Sequence, residues 1–271
     1  MTSLTCLFLA VTLSSDVGPR EEQPFGQLAK PQSSLHFTVR APLTDYQPVP
    51  GDIIFSASDK ISTAIIYRVA LVGLPSHVGI VVRMPGGQLG VFEAGGGGES
   101  RTRTTPLETR LGRKGDRAIW IRQPMNPPTA DQELRLNEYA AASENKGYSN
   151  RRAVELAWVF PTGTRGPIRT AFDGKPKGFR DDYVCSEAVT EALVYAGLTD
   201  AETARPSATA PRDLLLDRSL NLYIRRHPPL ACGWFPPALW VGCATVTTEC
   251  QCSPIGSVIP MPKRGLLRFR R

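Results

Sequence analysis

Small and apolar side chains recur through residues 185–196 at the spacing of one helix face. They fall at i, i+3, i+4, i+7 and i+11, and Gly197 stands where such a helix would end. The residues at these positions are Cys185, Ala188, Val189, Ala192 and Ala196. The pattern predicts an amphipathic helix whose first turn carries a cysteine.

Cys185 has two interpretations at this position. Unpaired backbone N–H groups and the positive end of the helix dipole favour a thiolate, which is the form of cysteine that attacks a carbonyl carbon. Free cysteine is also one of the most frequently buried residue types, so on this segment alone a small buried core residue is the preferred interpretation. A nucleophile would additionally need a base.

His77 is the candidate base. Pro50–Phe55 and Ser76–Val82 have the composition of two strands of one sheet, and His77 stands at the head of the second β-branched run. Imidazole can take a thiol proton near neutral pH. The alternative is a histidine that merely packs at a strand end.

Glu93 is the candidate for orienting the imidazole. Pro85–Gln88 supplies turn residues after the His77 strand, and Leu89–Glu93 has the pattern of the returning strand. In such a hairpin Glu93 comes back beside His77, where a cross-strand hydrogen bond can form. An exposed charge at the strand end is the alternative.

Four motifs, together with their order, resemble the circularly permuted papain-like hydrolases of the NlpC superfamily. The similarity is to the YiiX/YaeF-like branch and, more distantly, to lecithin retinol acyltransferase. The motifs are Gly51–Phe55, Ser76–Ile80, Val91–Ala94 and Tyr183–Glu187, with Ala210–Leu214 similar to a downstream Pro-x-Asp-Leu element. The resemblance spans roughly Val49 to Tyr223.

The resemblance implies a papain-like fold with its chain start moved, because His77 precedes Cys185 here. It also implies a glutamate at the place of Glu93. Catalytic triads are recognised by geometry rather than by chain order, so the inversion leaves the mechanism intact. Tyr183, two residues before the cysteine, either adds its hydroxyl to catalysis or shapes the pocket, and the Cys185 N–H is a candidate oxyanion donor. Ser186 and Glu187 are expected to be surface or packing residues.

The remaining pattern predicts an α+β domain, with an antiparallel sheet packed against the helix that bears the nucleophile. Further elements are a helix over Asp59–Leu74, a strand over Ala118–Arg122 and a helix over Thr129–Asn145, which begins with a capping box and is closed by Gly147. Residues 161–167 are predicted to form a loop.

Three regions are expected along the chain: an N-terminal extension over 1–47, a hydrolase domain over 48–226 and a Cys/Pro-rich basic tail over 227–271. The apolar run at 4–13 has the length of a signal-peptide core but no preceding Lys or Arg, so the localisation stays open between a cytoplasmic and an exported protein. No apolar stretch is long enough for a transmembrane span.

The C-terminal tail over 227–271 is expected to be poorly ordered. Its four cysteines, Cys232, Cys243, Cys250 and Cys252, leave disulfides or a zinc site as alternatives.

No cofactor or metal is predicted. The four glycines at 95–98 lack a following Gly-Lys-Ser/Thr, so a flexible loop is expected there rather than a phosphate-binding loop.

The net charge of +7 is partly local. Residues 101–122 carry seven basic side chains and only two acidic ones. The basic residues are Arg101, Arg103, Arg110, Arg113, Lys114, Arg117 and Arg122. A solvated basic surface is the preferred interpretation, with weak contact to an anionic surface as the alternative, and no nucleic-acid module accompanies the charge.

The sequence therefore predicts a cysteine-dependent amidase or peptidase with Cys185, His77, Glu93 and Tyr183 at its site and a thioester intermediate. A peptide or lipid acyl group is the expected substrate. The alternatives are a lipid acyltransferase or thioesterase of the same fold, an inactive binding module, and a basic nucleic-acid-binding protein.

Overall fold

The computed structural model describes residues 24–29, 42–58, 74–96, 99–157 and 165–242. Several sequence predictions lie wholly or mostly outside these residues: the apolar run at 4–13, the helix over Asp59–Leu74 except Leu74, residues 161–164 of the predicted loop, and Cys243, Cys250 and Cys252. No helix among the described residues is long and apolar enough to cross a membrane.

A ten-stranded sheet organises the described residues, in the order β2-β1-β10-β7-β3-β4-β5-β6-β8-β9. Neighbouring strands are antiparallel except β8 and β9, which are parallel. The strands are β1 (Gly26–Ala29), β2 (Leu43–Tyr46), β3 (Ile53–Ser58), β4 (His77–Arg83), β5 (Leu89–Gly96), β6 (Glu99–Pro106), β7 (Asp116–Arg122), β8 (Gly147–Tyr148), β9 (Asp182–Tyr183) and β10 (Ala238–Gly242).

The described residues also form one 3-10 helix (Pro206–Ala208) and seven α-helices. The α-helices are α1 (Leu107–Leu111), α2 (Ala130–Ala142), α3 (Asn150–Ala157), α4 (Pro167–Asp173), α5 (Cys185–Tyr195), α6 (Pro211–Leu216) and α7 (Leu222–Arg226). The structure confirms the predicted α+β class: it has one large sheet and several helices.

Two apolar clusters form the core because successive strand residues face opposite sides of the sheet. Phe55 and Val78 belong to the larger cluster, which also holds Cys185 and Val189 of α5. Ile54 and Val81 belong to the second cluster, together with residues of α1 and β10. Helix α5 is thus packed against the sheet, and nine of its residues are buried.

The predicted helices and the structure agree most closely where local signals are strong. Helix α2 begins after Thr129, whose side chain accepts from the Gln132 N–H, while the Gln132 side chain accepts from the Thr129 N–H. It ends at Ala142, before the predicted Asn145, which adopts a left-handed φ of 63°. Helix α5 is followed by Gly197 with a φ of +69°, a conformation that glycine adopts without strain.

The sheet extends beyond the predicted 48–226 unit at both ends. Strands β1 and β2 come from the predicted N-terminal extension, and β10 comes from the predicted tail. Trp234 and Trp240 are both buried, and the Trp240 ring lies 5.8 Å from the Tyr46 ring. Burial of these aromatic rings gives residues 227–242 a reason to be ordered, in contrast to the poor order expected for the tail.

Candidate active site

The hairpin of β4 and β5 places Glu93 beside His77. Gly79 pairs directly with Glu93 across the two strands, and His77 lies two residues earlier on the same face. A Cβ atom at Gly79 would meet Val91 Cγ1 at 2.6 Å and Glu93 Cβ at 3.2 Å. The absence of a side chain at Gly79 therefore leaves the space in which the Glu93 side chain reaches the imidazole.

The His77 Nε2 and Glu93 Oε2 atoms lie 2.9 Å apart. Because an ionised carboxylate can only accept, Nε2–H is the donor of this bond. The other ring nitrogen, Nδ1, is then the one available to Cys185. The expected cross-strand hydrogen bond is present in the structure.

Cys185 is the first residue of α5 and is only 2% exposed. Strand β9 leads directly into the helix, and the Glu187 carboxylate accepts the Val184 N–H at 3.2 Å, which satisfies one donor at the helix start. Hydrogen bonding and charge at Cys185 both act on the pKa of His77, so the two side chains are neighbours. The structure thus brings together the cysteine, histidine and glutamate singled out in the sequence.

The electrostatics of His77 favour its protonated form. Burial on its own would lower the pKa of His77, but hydrogen bonds to Cys185 and Glu93 and the negative charges of both outweigh that effect and raise the pKa to about 9. At neutral pH the imidazole is therefore an imidazolium, held between the Cys185 sulfur and the Glu93 carboxylate.

Glu93 is fully buried and lies among basic groups. Arg110 Nε donates to its Oε2 at 2.8 Å, and Arg113 Nη1 lies 3.5 Å from its Oε1. Burial on its own would raise the pKa of Glu93, but hydrogen bonding and the positive charges of His77 and Arg110 hold it well below its usual range. Glu93 is consequently a carboxylate throughout the pH range in which the protein would work.

Two of the seven basic side chains in residues 101–122, which were expected to form a basic surface, are buried. Arg110 is 1% exposed and Arg122 is 4% exposed. Arg122 pairs with Asp217 at 3.0 Å and donates to the backbone carbonyl of Leu214. The linear count of charges missed these partners because Glu93 and Asp217 lie outside the 101–122 segment.

The Tyr183 hydroxyl is engaged away from the Cys185–His77 pair. It accepts from the Arg180 N–H at 2.9 Å and lies 3.1 Å from the Tyr139 hydroxyl and 3.2 Å from Ser143 Oγ. These three contacts use the bonding capacity of a phenol hydroxyl. Tyr183 itself is fully buried in the larger core cluster.

Glu187, expected at the surface or in packing, is buried. Its carboxylate pairs with Arg180 at 3.0 Å and with Arg152 at 3.1 Å, besides accepting from Val184. These contacts tie the start of α5 to the chain that precedes it, so Glu187 stabilises the turn that carries the cysteine.

The downstream element at 210–214 forms the start of α6. Asp213 accepts the Ala210 N–H at 2.9 Å and binds Arg165 through both of its oxygens. Asp213 is buried, and the element packs among the core residues rather than contributing a contact to His77.

Arg110, the buried partner of Glu93, was counted in the sequence only as one of seven basic residues and was not predicted to lie at the site. It lies at i+3 from Leu107 and just before Leu111, and both leucines are buried. An arginine on the apolar face of a short helix was the signal available in the sequence, since such a residue is buried only with a partner.

Within the described residues, no group of three or more His, Cys, Asp and Glu side chains is placed to hold a metal ion. No protein-family model and no curated protein matches the sequence. Among solved structures, the chain is similar to the metalloprotein YiiX from Escherichia coli O157:H7 at 20% sequence identity. The match covers 68% of this chain and 87% of that chain, with a TM-score of 0.39.

Proposed function

We propose that the chain is a cysteine-dependent hydrolase of the amidase or peptidase class that works through a thioester on Cys185. One observation carries the proposal: the His77 Nε2–H is bound to the Glu93 carboxylate at 2.9 Å, and the same imidazole interacts with Cys185, the first residue of α5. A nucleophile, a base and a group that orients the base are the parts that covalent acyl transfer requires.

In the first step, the Cys185 thiolate attacks the carbonyl carbon of the substrate and a C–S bond forms. The tetrahedral intermediate collapses with cleavage of the C–N bond, and the His77 imidazolium gives its proton to the leaving amine. The products are a free amine and a thioester on Cys185. The raised pKa of His77 suits this step because the proton donor is already charged at neutral pH.

In the second step, His77 is neutral and takes a proton from water as the oxygen attacks the thioester. The C–S bond then breaks, a carboxylic acid leaves, and the proton on His77 restores the starting pair. Glu93 stabilises the imidazolium at both stages because its carboxylate accepts the Nε2–H. The first-turn N–H groups of α5 are the candidate donors for the oxyanion.

The permuted papain-like arrangement belongs to the same proposal. Strand β4 with His77 precedes helix α5 with Cys185 in the chain, and α5 packs on an antiparallel part of the sheet. The hydrogen bonds of Tyr183 support its pocket-shaping role rather than a direct part in the chemistry.

Labelling with acyl-type probes tests the function and the substrate class together. Tryptic cleavage after Arg180 and Arg212 gives a peptide, 181–212, in which Cys185 is the only cysteine, since cleavage is blocked at Arg205–Pro206. We expect peptide-based probes to add their mass to this peptide in the wild type, and the added mass to be absent in Cys185→Ala. Preferential labelling by lipid acyl probes would instead favour the acyltransferase or thioesterase alternative, and no labelling by either would favour a binding module.

A further inference from the structure

Arg110 connects Glu93 to two other strands. Its Nε donates to Glu93 Oε2 at 2.8 Å, its Nη1 to Asp116 Oδ2 at 2.8 Å and its Nη2 to Ser56 Oγ at 2.9 Å. The three partners lie on β5, β7 and β3. All three nitrogens of the guanidinium are therefore used, and the planar group is fixed in one orientation.

Arg110 and His77 donate to the same oxygen of Glu93. The His77 Nε2 lies 2.9 Å from Oε2, and the Arg110 Nε lies 2.8 Å from it. Without the guanidinium, the carboxylate could turn about its last bond and present either oxygen, or neither, to the imidazole. The position of the Glu93 oxygen, and through it the ring of His77, thus depends on Arg110.

Arg110 is also the buried positive charge next to Glu93. Arg103 and Arg113 lie farther from the other oxygen, Oε1, at 3.7 and 3.5 Å, and their side chains are 28% and 22% exposed. Solvent screens them more than it screens Arg110. The other charges facing this group are His77 and Asp116, with Cys185 on the far side of the imidazole.

We infer that Arg110 is a positioning residue of the proposed site, which holds the Glu93 carboxylate towards His77 and offsets the negative charge that His77 senses. The catalytic consequence rests on the proposed function. The effect on His77 is a physical property of the folded protein and can be measured without a substrate.

Two substitutions separate orientation from charge. Arg110→Met removes both, and Arg110→Lys keeps the positive charge but cannot reach Glu93, Asp116 and Ser56 together. Arg122→Lys is the matched control, because Arg122 is also a buried, ion-paired arginine but contacts neither Glu93 nor His77. It reports the general cost of shortening a buried arginine.

The first readout is the titration of the His77 ring, followed by NMR in the full chain, which has three histidines. Arg110→Met should move the pKa of His77 upward, because Glu93 then acts on the imidazolium without the offsetting charge. Arg110→Lys keeps the charge but loses the alignment of Glu93 and should move the pKa of His77 downward, whereas Arg122→Lys should leave it near the wild-type value. Unchanged pKa values of His77 in both Arg110→Met and Arg110→Lys would overturn the inference.

The second readout is the rate at which iodoacetamide alkylates Cys185, followed by mass spectrometry on peptide 181–212. Arg110→Lys should slow alkylation by about tenfold or more, because a small misplacement of catalytic groups has effects of this size. Arg122→Lys should not slow it. Equal rates in Arg110→Lys and the wild type would contradict the positioning role.

The two readouts also distinguish failure of this inference from failure of the proposed function. An inert Cys185 in the wild type, together with a shifted His77 titration in Arg110→Met, would remove the hydrolase function and leave the link between Arg110 and His77 standing. If Cys185 were reactive in the wild type but neither readout changed in the Arg110 variants, the link between Arg110 and His77 would be removed and the hydrolase function would stand.

Discussion

At the scale of the residue, Glu93 helps to set the charge of the His77 imidazole. Its oxygens bind His77 and Arg110, and it is fully buried. The sequence predicted its position from the hairpin turn but not its surroundings. The reason is physical: the register of a hairpin is local information, whereas Arg110 reaches Glu93 from a separate helix.

Replacing Glu93 with Gln should lower the pKa of His77 from about 9, because the amide can still accept a hydrogen bond but carries no charge. It should also lower the free energy of unfolding by about 3–5 kcal/mol, since Arg110 loses its buried anion. NMR titration of His77 and urea unfolding measure the two effects.

Asp213→Asn is the matched control, because Asp213 is another buried carboxylate paired with an arginine, Arg165. It should destabilise the protein without moving the His77 titration. A comparable shift of His77 in both variants would mean that Glu93 has no specific role in setting the charge of the imidazole.

Asp52, in the Gly-Asp motif, shows the opposite electrostatic behaviour. Burial raises its pKa to about 7, although hydrogen bonds from the Tyr46 hydroxyl and the Val49 N–H oppose the shift. Because the folded pKa exceeds the unfolded value near 3.8, folding is penalised as the pH rises from about 4 to about 7.

Asp52→Asn should therefore remove part of the pH dependence of stability. The wild type should lose up to about 4 kcal/mol of unfolding free energy between pH 4 and pH 8 through this group, and the variant should not. Urea titrations at the two pH values give the difference. If both proteins lost the same amount, Asp52 would not be the group responsible.

At the scale of elements, the hairpin of β4 and β5 positions His77, the proposed base, and α5 positions Cys185, the proposed nucleophile. Both were predictable because they rest on local signals: turn residues at 85–88, β-branched strand residues and the apolar face of the helix. The full burial of α5 was not predictable from its own sequence, since Glu187 and Glu191 have the composition of a solvated face. Their arginine partner, Arg180, neutralises them in the fold.

Gly79→Ala tests the hairpin as the device that aligns Glu93 with His77. The added methyl group would meet Val91 Cγ1 at 2.6 Å and the Phe92 carbonyl at 3.0 Å, so the strands must separate. We expect a loss of about 1–3 kcal/mol in stability and slower alkylation of Cys185.

Gly87→Ala is the control within the same hairpin, because an added Cβ there meets nothing within 4 Å, although its φ of +89° adds backbone strain. It should lower stability without slowing alkylation. If Gly79→Ala left the alkylation rate of Cys185 unchanged, the close approach of the two strands would be irrelevant to the site.

At the scale of the whole molecule, the sheet is larger than the predicted domain. Strands β1, β2 and β10 have four or five residues each and no strong alternation, so few sequence signals predicted them. The contacts that order them are long-range: Trp240 lies 5.8 Å from Tyr46 and 6.1 Å from Phe25. Motif spacing locates a site better than it locates the edge of a sheet.

A comparison of two fragments tests this boundary. Residues 24–242 include all ten of the described strands, whereas residues 48–226 lack three of them and expose the apolar residues of β7. We expect the longer fragment to unfold with a midpoint close to that of the full chain and the shorter one to unfold several degrees lower. Equal midpoints would show that the outer strands contribute little and would favour the predicted 48–226 unit.

The pairing of Cys185 with His77 is the central claim, and the alkylation rate of Cys185 tests it most directly. The rate constant for iodoacetamide at pH 7 is measured on peptide 181–212 in the wild type and in His77→Ala, with Cys232, which is exposed, as the internal reference. We expect His77→Ala to slow Cys185 at least about tenfold while Cys232 is unaffected, because the imidazolium stabilises the thiolate that reacts. Equal rates at Cys185 in the two proteins would contradict the catalytic pair.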